Sequence, residues 1–436
     1  MNWDKISLGE LCTITKGLTG IQKAIPGDFP MVTTGEERKT HNEFQFDDEA
    51  VIVPLVSGTG HGHASIKRIH YQKGKFALGS ILCAIIPKDK TVLNAEYLYR
   101  FLDLNRENEL VARMRGMANV TLPIKEIAKI EIPLPDLVGQ IEFIEKYKIL
   151  ENNSHNIDSE LKHQLSLVTQ LRQAFLQEAM QGKLCPAVEA NAETGQQILE
   201  RIKAEKVHLI KNKKLKKENE LPPIKPEEIP FETPENWVWS RLGDLRDFKY
   251  SLSYGVLVPG NDLPNGIPFI RVQDLDSASK NQPPSKHIAI DIDKKYSKTR
   301  LVGEEILICV VGSIGKVALA SDYWIGANIA RAICRFMPNA SVSRKYIFYC
   351  LNSPYTQTFF HNSKKSINPT LNVNVLERTL IPLPSFQIQN SIVTKLEQLM
   401  QTCDQLEASI NQGHLQNEQL LRQVLKEALE VKEEAV

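Results

Sequence analysis

Arginine, lysine and amide side chains, which grip phosphates or form paired hydrogen bonds with base edges, gather in loops of both halves of this chain. In the first half the candidates are Lys16, Lys23, Arg38, Lys39, Thr59, His61, His63, Lys67, Arg113, Arg115 and Asn119. In the second half they are Tyr250, Tyr254, Arg271, Gln273, Ser313, Lys316, Asn328, Arg331, Lys364, Lys365 and Asn368. Singly, each residue type is common on any protein surface. However, a basic loop precedes a Thr-Leu pair in both halves, RMRGMANVTL at 113–122 and KKSINPTL at 364–371. This repeated position predicts contact with DNA or RNA at the same point of each half.

Motifs that resemble catalytic signatures lack their essential residues. GSIGK at 312–316 has neither the glycine spacing nor the hydroxyl residue after the lysine that a phosphate loop needs, and it predicts a tight turn between strands. SGTGHGH at 57–63 offers two histidines but no evident third metal ligand. That loop either presents its threonine and histidines to a polar partner or is a plain surface turn. We therefore expect no catalytic residue and no metal site in this chain.

The segments that position these loops are written twice. WDKISLGEL at 3–11 returns as WVWSRLGDL at 237–245, an offset of 234 residues, and IPLP at 132–135 returns at 381–384, an offset of 249. The Thr-Leu pairs share the offset of 249, so the second globular copy is 15 residues longer than the first. A repeat of this length is a duplicated module of a domain and a helix rather than a solenoid period.

Each globular copy mixes strand and helix patterns. Short β-branched runs at 50–56, 75–87 and 129–134 predict strands in the first copy, and apolar spacing at 94–105 predicts an amphipathic helix. The second copy repeats the pattern, with predicted strands at 267–272, 305–311 and 331–337 and a helix at 344–352. The predicted class is α+β.

After each IPLP the apolar period changes to three and four residues, and this heptad pattern predicts two helices of about 40 residues, each ~60 Å long, that pack against one another. The predicted pairing seam contains Leu150, Ile157, Leu161, Val168, Leu171, Leu399, Leu406, Ile410, Leu420 and Val424.

A linker at 185–236 joins the two modules. Thr194 and Gln197 form a capping-box pattern that predicts a helix, and the end of this helix is rich in lysine. The lysines are Lys203, Lys206, Lys211, Lys213, Lys214, Lys216 and Lys217. They are either a solvated helix end or a contact to the phosphate backbone of a nucleic acid. Five prolines between 222 and 234 predict a stiff, extended connection.

The bulk composition sets outer limits. A net charge of +1 over 436 residues argues against a uniformly cationic coat but allows local basic faces. Seven cysteines without a CxxC pair suggest neither a zinc site nor a disulfide framework. No signal pattern or membrane-length apolar run is evident, so we expect a cytoplasmic protein.

These landmarks resemble the specificity subunit of type I restriction-modification systems over essentially the whole chain. The resemblance is carried by the duplicated W…LG(E/D)L start, the two IPLP segments, LRQAFLQEAMQGKL at 171–184 and the lysine-rich linker. PPIKPEEIPFETPENWVW at 222–239 and GSIGK add to it. The Glu-Gln pair often found after IPLP is reduced here to Gln140 and Gln389. SGTGHG in the first half replaces GSIGK of the second, which implies target-recognition domains of different subtypes.

The resemblance implies two target-recognition domains, at 1–136 and 237–385, that each read one part of a bipartite, gapped double-stranded DNA target. The long helices, at 137–184 and 386–432, would form an antiparallel coiled coil with pseudo-two-fold symmetry that sets the spacing and docks two methylase subunits. Those subunits would bind S-adenosylmethionine and methylate adenine N6, and motor-nuclease subunits would cleave DNA. This chain itself would hold no cofactor.

Three other interpretations remain from sequence. The chain could be a coiled-coil scaffold without DNA contact, a stand-alone enzyme, or a specificity subunit for a related system in which methylase and nuclease are fused. Neither the recognised bases nor the spacer length can be read from the residues, because readout depends on loop geometry and DNA shape.

Overall fold

The computed structural model describes residues 3–58, 63–117, 119–184, 193–216, 220–276, 282–363 and 370–429. The chain divides into two compact units, Met1–His163 with Ile410–Val436 and Gln164–Ser409. Each unit therefore contains one globular half together with parts of both long helices, and the division falls inside those helices.

The described part of the first globular half contains short strands and three helices, one of which is the helix that the sequence predicts at 94–105. Its strands are β1 (Lys5–Ser7), β2 (Cys12–Lys16), β3 (Phe29–Val32), β4 (Lys39–His41), β5 (Phe46–Asp47), β6 (Ala50–Pro54), β7 (His70–Gln72), β8 (Lys75–Leu78), β9 (Leu82–Pro87) and β10 (Glu131–Pro133). Its helices are α1 (Leu8–Leu11), α2 (Ala95–Leu104) and α3 (Ile124–Ile127). The strand predicted at 75–87 is two strands, because the chain turns at Gly79 so that β8 pairs with β3 and β9 with β2 and β6.

The second globular half follows the linker helix and repeats this architecture. Its strands are β11 (Val238–Arg241), β12 (Ser253–Tyr254), β13 (Ile267–Ile270), β14 (Lys286–Ile288), β15 (Ile306–Cys309), β16 (Val317–Leu319), β17 (Asn328–Ile329), β18 (Ile333–Phe336) and β19 (Leu380–Leu383). The helices of the remaining chain are α4 (Leu137–Met180), α5 (Gly195–Lys211), α6 (Ile290–Lys295), α7 (Arg344–Asn352), α8 (Pro354–Asn362), α9 (Val373–Arg378) and α10 (Phe386–Leu429).

The two halves share most of their sheet topology, although β5, which pairs with β8, has no counterpart among the described strands of the second half. The order β2-β9-β6-β7 of the first half matches β12-β18-β15-β16 of the second. The parallel pair β3 and β8 likewise matches β13 and β17, each with an antiparallel neighbour, β4 or β14. Most of the additional residues of the second half lie between β13 and β15, where α6 is inserted. The α+β class with a repeated domain is confirmed.

The landmarks that the sequence repeats pair with each other in space. The WDKISL strand β1 pairs with the IPLP strand β10, and β11 pairs with the second IPLP strand β19, both antiparallel. In each half the amphipathic helix between these two strands, α2 or α7, carries a tyrosine whose hydroxyl donates a hydrogen bond to the first proline carbonyl of IPLP. The distances are 2.8 Å from Tyr97 to Pro133 and 2.6 Å from Tyr346 to Pro382. The repeated sequence is therefore a structural joint between each globular half and its long helix.

A buried glutamine completes this joint. The Gln140 side chain accepts from the backbone N–H of Asn94 and donates to the carbonyl oxygens of Val92 and Pro135, all at 2.8 Å. Gln389 makes the same kind of contacts in the second half, accepting from Ser343 N–H and donating to Pro384 O. Both glutamine residues are fully buried, and burial of an amide is tolerated only when its donors and acceptors are bonded.

The same interface carries an ion pair whose signs are exchanged between the halves. Lys148 of α4 contacts Glu96 of α2 at 3.0 Å, whereas Glu397 of α10 contacts Lys345 of α7 at 2.6 Å. The four positions correspond at the offset of 249 residues. Each globular half therefore carries the charge that matches its own long helix. Pairing one globular half with the long helix of the other half would bring like charges together.

Within each unit, α4 and α10 run antiparallel. In the first unit, Asp158 contacts His414 at 2.7 Å, and Asn417 donates to the Ser154 carbonyl at 2.9 Å. In the second unit, Arg172 bridges Asp404 and Glu407 at 2.7 and 2.9 Å. The predicted packing of the two long helices is thus confirmed.

The predicted seam, however, drifts along the helices. Val168 and Ile410 are buried, and Leu150, Leu161, Leu399 and Val424 are half-buried. Four other predicted members remain more exposed: Ile157 at 47%, Leu171 at 38%, Leu406 at 43% and Leu420 at 62%. The contacts at 158 and 172 lie one residue after the predicted positions 157 and 171, because a helix of 3.6 residues per turn drifts from a strict heptad.

The linker helix α5 begins with the predicted capping box, in which Thr194 and Gln197 exchange side-chain and backbone hydrogen bonds. Its apolar face packs against the second globular half through Ile198, Leu199 and Ile202. Lys213 follows the helix in the left-handed conformation, with φ of 58°. Lys214 and Lys216, which follow it, line a cavity together with residues of the second globular half. No helix in the described parts of the chain is long and apolar enough to cross a membrane.

Candidate nucleic-acid interface

In both halves the loop that follows a fully buried strand, β6 or β15, lies beside the Thr-Leu pair. Val56 bridges Thr121 in the first half, and Val311 bridges Thr370 in the second, both antiparallel. SGTGHGH and GSIGK therefore begin at equivalent points of the fold, although their sequences differ. The basic loop that precedes Thr121 adjoins this edge, whereas residues 364–369 before Thr370 lie outside the described residues.

The first half has a cavity of about 350 Å³ at this edge. Its walls include Ser57, Gly58, Lys67 and Arg68. Lys67 is exposed, while the guanidinium of Arg68 contacts Glu36 at 2.9 Å. Exposed His63 lies at the end of the loop, and its carbonyl accepts a hydrogen bond from Ser57 Oγ at 2.5 Å. Thr59 and His61 lie outside the described residues, so the two interpretations of this loop stay open.

The basic loop of the first half is a tight hairpin. Arg115 and Thr121 exchange backbone hydrogen bonds of 2.8 Å. Gly116 has φ of +125°, and a Cβ there would lie 2.3 Å from the Asn119 carbonyl oxygen, so glycine is required. The hairpin leaves Asn119 exposed and Met117 at 95% exposure. It therefore projects an apolar side chain between polar ones, a feature that residue types alone did not single out.

Not every cation of this loop is free to bind. Arg113 contacts Glu109 at 2.9 Å, and Arg115 contacts the largely buried carboxylate of Glu126 at 3.3 Å. The Arg115 side chain is nevertheless 67% exposed, so the ion pair leaves it open to a second, anionic partner.

The second half has a larger cavity of about 980 Å³ at the equivalent edge. We call it the reading groove, and its walls include Tyr254, Val311, Gly312, Arg331 and Thr370. The Tyr254 hydroxyl donates to the Leu371 carbonyl at 3.2 Å, which fixes the ring in the wall. Exposed Arg331 follows the parallel strand β17, and its backbone N–H donates to Val256 O.

GSIGK is the hairpin turn between β15 and β16, as predicted. Gly312 and Gly315 adopt positive φ, and the Gly315 N–H donates to the Cys309 carbonyl at 3.0 Å. Ser313 is exposed at the tip, whereas Lys316 is ion-paired with Asp276.

The other predicted residues are spread over their halves. Lys16, Lys23, Lys39 and Gln273 are exposed, and Arg271 is tied to Asp274 and Ser285. Tyr250 lies under the guanidinium of Arg335, 5.0 Å from ring centroid to Cζ. Lys364, Lys365 and Asn368 lie outside the described residues.

Arg38 is held at the edge of the first half by hydrogen bonds to Gln72 and His70. Burial and the neighbouring Arg38 lower the pKa of His70 to about 4, so its ring is neutral near pH 7 and its Nδ1 accepts a hydrogen bond from Arg38 Nη1. This arrangement orients the Arg38 guanidinium.

Asn328 differs from the other candidates because it is fully buried. Its Nδ2 donates to Asp293 Oδ1 and to the Tyr296 carbonyl, both at 3.0 Å, and its Oδ1 accepts from Thr299 at 2.7 Å. The amide is therefore used inside the protein and is not presented to a ligand. The sequence did not indicate this burial, because Asn328 lies only three residues before the exposed Arg331.

The described residues show no group of three or more histidine, cysteine or acidic side chains suited to a metal ion. Six described cysteines are buried, and burial raises the pKa of the Cys12 and Cys83 thiols to about 12. Such thiols stay protonated and are poor nucleophiles. The chemistry that this surface offers is hydrogen bonding and positive charge.

The fold and its loops define a protein of two similar recognition modules, each a mixed α/β domain joined to a long helix. The family model of the type I restriction modification DNA specificity domain matches residues 1–166 and 234–413. The two matched segments are the two modules, and together they cover most of the chain. The protein therefore belongs to the type I restriction modification DNA specificity domain family.

Individual relatives agree with this assignment. The chain is 28% identical over 299 residues to the type I restriction enzyme EcoBI specificity subunit of Escherichia coli, covering 68% of this chain and 57% of that protein. It is 30% identical over 245 residues to the EcoAI specificity subunit of the same organism, covering 55% and 41% respectively. The matched regions thus span about half the length of these relatives.

Solved structures share the fold. A chain from a study of complex assembly and conformational transition of the type I R-M system has a TM-score of 0.63 at 16% identity and covers 98% of this chain and 97% of its own. The HsdS subunit from Thermoanaerobacter tengcongensis has a TM-score of 0.52 at 18% identity, with coverage of 98% and 96%.

Proposed function

We propose that this protein is the DNA specificity subunit of a type I restriction-modification complex, in which each globular half reads one part of a bipartite, gapped DNA target. One observation carries the proposal. The tyrosine and glutamine contacts of the joint recur in both halves, while the loops beside the Thr-Leu pairs differ in sequence, length and cavity size. A conserved frame with different loops is what recognition of two different half-sites requires.

The side chains at the two edges suit base readout by different chemistry. The first edge offers Lys67, Arg115 and Asn119, while the second offers Tyr254 and Arg331. Arginine and lysine pair with guanine O6 and N7, and asparagine pairs with adenine, in the major groove. The two halves are therefore expected to prefer different bases.

The long helices supply the second part of the function. Beside the antiparallel contacts, they keep large apolar side chains exposed, including Ile149, Ile157, Leu167, Leu415 and Leu420. Exposed apolar side chains on a rigid helix are suited to a stable protein partner. We assign this surface to two methylase subunits, which would bind S-adenosylmethionine and methylate adenine N6. Motor-nuclease subunits would join the same complex, and this chain would contribute no catalytic group.

Footprinting of the reconstituted complex tests the proposal. The complex of this chain with its methylase subunits should bind one DNA sequence selectively, with two blocks of base-specific protection separated by a gap in which sequence is unconstrained. Substitution of bases in the gap should leave affinity unchanged and serves as the internal control. One contiguous block of base-specific contacts would contradict the proposal, as would binding that ignores sequence.

A further inference from the structure

A second concave surface on the second unit is strongly basic. This basic cavity, of about 580 Å³, lies between the chain that follows α5 and the second globular half. Positive side chains make up half of its lining residues, and none of those residues is acidic. The globular half contributes Arg246, Lys249, Lys298, Arg300 and Arg335, and the linker adds Lys214 and Lys216. This concentration contrasts with the chain's net charge of +1.

Two arginines of the cavity contact buried carboxylates. Arg300 is ion-paired with buried Asp293, and Arg335 lies 3.6 Å from the buried carboxylate of Glu305. That carboxylate is already shared, because it accepts hydrogen bonds from the backbone N–H groups of Val302 and Gly303 at 2.7 and 2.8 Å. Like charges that line one cavity repel one another, and a bound anion would reduce that repulsion.

Arg335 is a buried cation in the cavity wall, and this distinguishes the cavity from a patch of surface lysines. Its side chain is 3% exposed, held by a hydrogen bond from Nη1 to the Arg300 carbonyl at 2.7 Å and by the ring of Tyr250. Its buried Nε–H has no hydrogen-bond partner among the described residues. A buried donor without a partner costs free energy, and Arg335 is one of the residues that line the cavity.

The linker lysines reach this site because of a local turn. Lys213 adopts the left-handed conformation, which is unfavourable for residues other than glycine. The N–H groups of Lys214 and Leu215 both donate hydrogen bonds to the Leu209 carbonyl. The turn places Lys214 and Lys216 on the cavity wall. The lysine run is thereby divided, since Lys203 and Lys206 line a different cavity with Asp244.

The basic cavity adjoins the reading groove. Tyr250 and Ser251 line the former, and the next residues along the chain, Leu252–Gly255, line the latter. The same division occurs between Tyr296 and Ser297. The four residues Leu252–Gly255, if fully extended, span at most about 14 Å. This length corresponds to about four nucleotide steps of 3.4 Å along one strand of duplex DNA.

From this geometry we infer that the basic cavity binds phosphate groups, and that in the assembled complex these are backbone phosphates flanking the half-site read by the second globular half. Phosphate contacts hold the register of a protein on DNA without reading its sequence. The assignment to DNA rests on the proposed function, whereas phosphate chemistry is a property of the cavity itself. The linker would thus hold the DNA as well as join the modules.

The test uses the full chain assembled with its methylase subunits and compares two triple variants. Lys214→Gln, Lys216→Gln and Lys298→Gln together remove three exposed cavity charges without touching Arg335. Lys211→Gln, Lys225→Gln and Lys294→Gln remove three exposed charges from comparable segments outside the cavity. DNA affinity is measured against salt concentration on the preferred target and on a mismatched one.

The cavity variant should lower the slope of log affinity against log salt by about 1–3, since each lost phosphate contact contributes about 0.9. Its preference for the correct target over the mismatched one should stay within twofold of wild type, and the control variant should keep the wild-type slope. If the slope is unchanged in the cavity variant while the complex still selects its target, the assignment of the cavity to DNA phosphates is wrong and the proposed function stands. A wild-type complex with no sequence selectivity would instead refute the proposed function.

A second arm distinguishes DNA from a small free phosphate ligand. Pyrophosphate is added to the full chain without DNA, and melting temperature is followed. A rise in wild type that the cavity variant lacks supports the phosphate site. The same rise combined with an unchanged salt slope would reassign the cavity to a free phosphate compound. No rise and no change of slope would refute the phosphate site altogether.

Discussion

Replacement of Gln140 by alanine should destabilise the joint between the first globular half and α4. The side chain is fully buried and makes three hydrogen bonds, to Asn94 N–H and to the Val92 and Pro135 carbonyls. Alanine would leave the Asn94 N–H and the carbonyl oxygens of Val92 and Pro135 without these partners. At ~1 kcal/mol or more for each such group, together with the cavity left behind, the expected loss is about 3–5 kcal/mol.

A loss of this size is a large fraction of the ~5–15 kcal/mol that stabilises a typical domain. It should also be local, because Asn94 is the N-cap of α2 and its side chain accepts from the N–H groups of Glu96 and Tyr97. Hydrogen exchange followed by mass spectrometry should therefore show faster exchange in α2 and at the start of α4. Urea unfolding of the first half should shift to a lower midpoint.

Two variants serve as controls. Gln173→Ala removes an exposed glutamine from the same helix and should change neither measurement. Gln389→Ala should produce the same defect in α7 and at the start of α10, and leave α2 unaffected. If the Gln140 variant unfolded at the same urea concentration as the Gln173 variant, with unchanged exchange in α2, the account of the joint would be refuted.

Three further predictions concern the charges and amides of the two halves. Lys148→Glu should weaken the first half by ~0.5 kcal/mol, and adding Glu96→Lys should recover part of that loss, because Glu96 also faces Arg100 at 3.8 Å. The coupling in a double-mutant cycle should be about 0.2–1 kcal/mol, and additive effects would contradict the exchanged-charge interface. Arg331→Ala should lose about 1–3 kcal/mol of discrimination at one position of the second half-site, measured by selection from randomised targets, while the first half-site is unchanged. Asn328→Ala should instead lower thermal stability, by about 3 kcal/mol, and leave base preference unchanged; a change of specificity without loss of stability would refute its structural role.

The duplicated frame could be predicted from sequence because its defining contacts repeat with it. β1 and β10 pair through the very segments that the sequence repeats, and the Tyr97 hydroxyl and the Gln140 amide bond to carbonyls of the same IPLP segment. Helix α7 begins and ends at the predicted residues, Arg344 and Asn352. The repeat marks both partners of the joint, although they lie far apart in the sequence.

Features that depend on distant contacts were not predictable from the sequence. Asn328 has the residue type of a base-reading side chain, and only the folded chain brings Asp293, Tyr296 and Thr299 around it. The basic cavity joins four separate segments of the chain, so no sequence window contains it. The helix seam shifted because a heptad template ignores the drift of an α-helix.

Exchange of the first globular half tests the central claim most directly. Residues 1–135 would be replaced by the corresponding domain of a relative with a known, different half-site, with Glu96 and Gln140 contacts retained so that the joint is preserved. The methylated sequences of cells carrying the native and the hybrid protein would then be determined. We predict that one half of the gapped motif changes to that of the donor, while the other half and the spacing stay as they were. An unchanged motif, or a change in both halves, would contradict the assignment of one half-site to each globular domain.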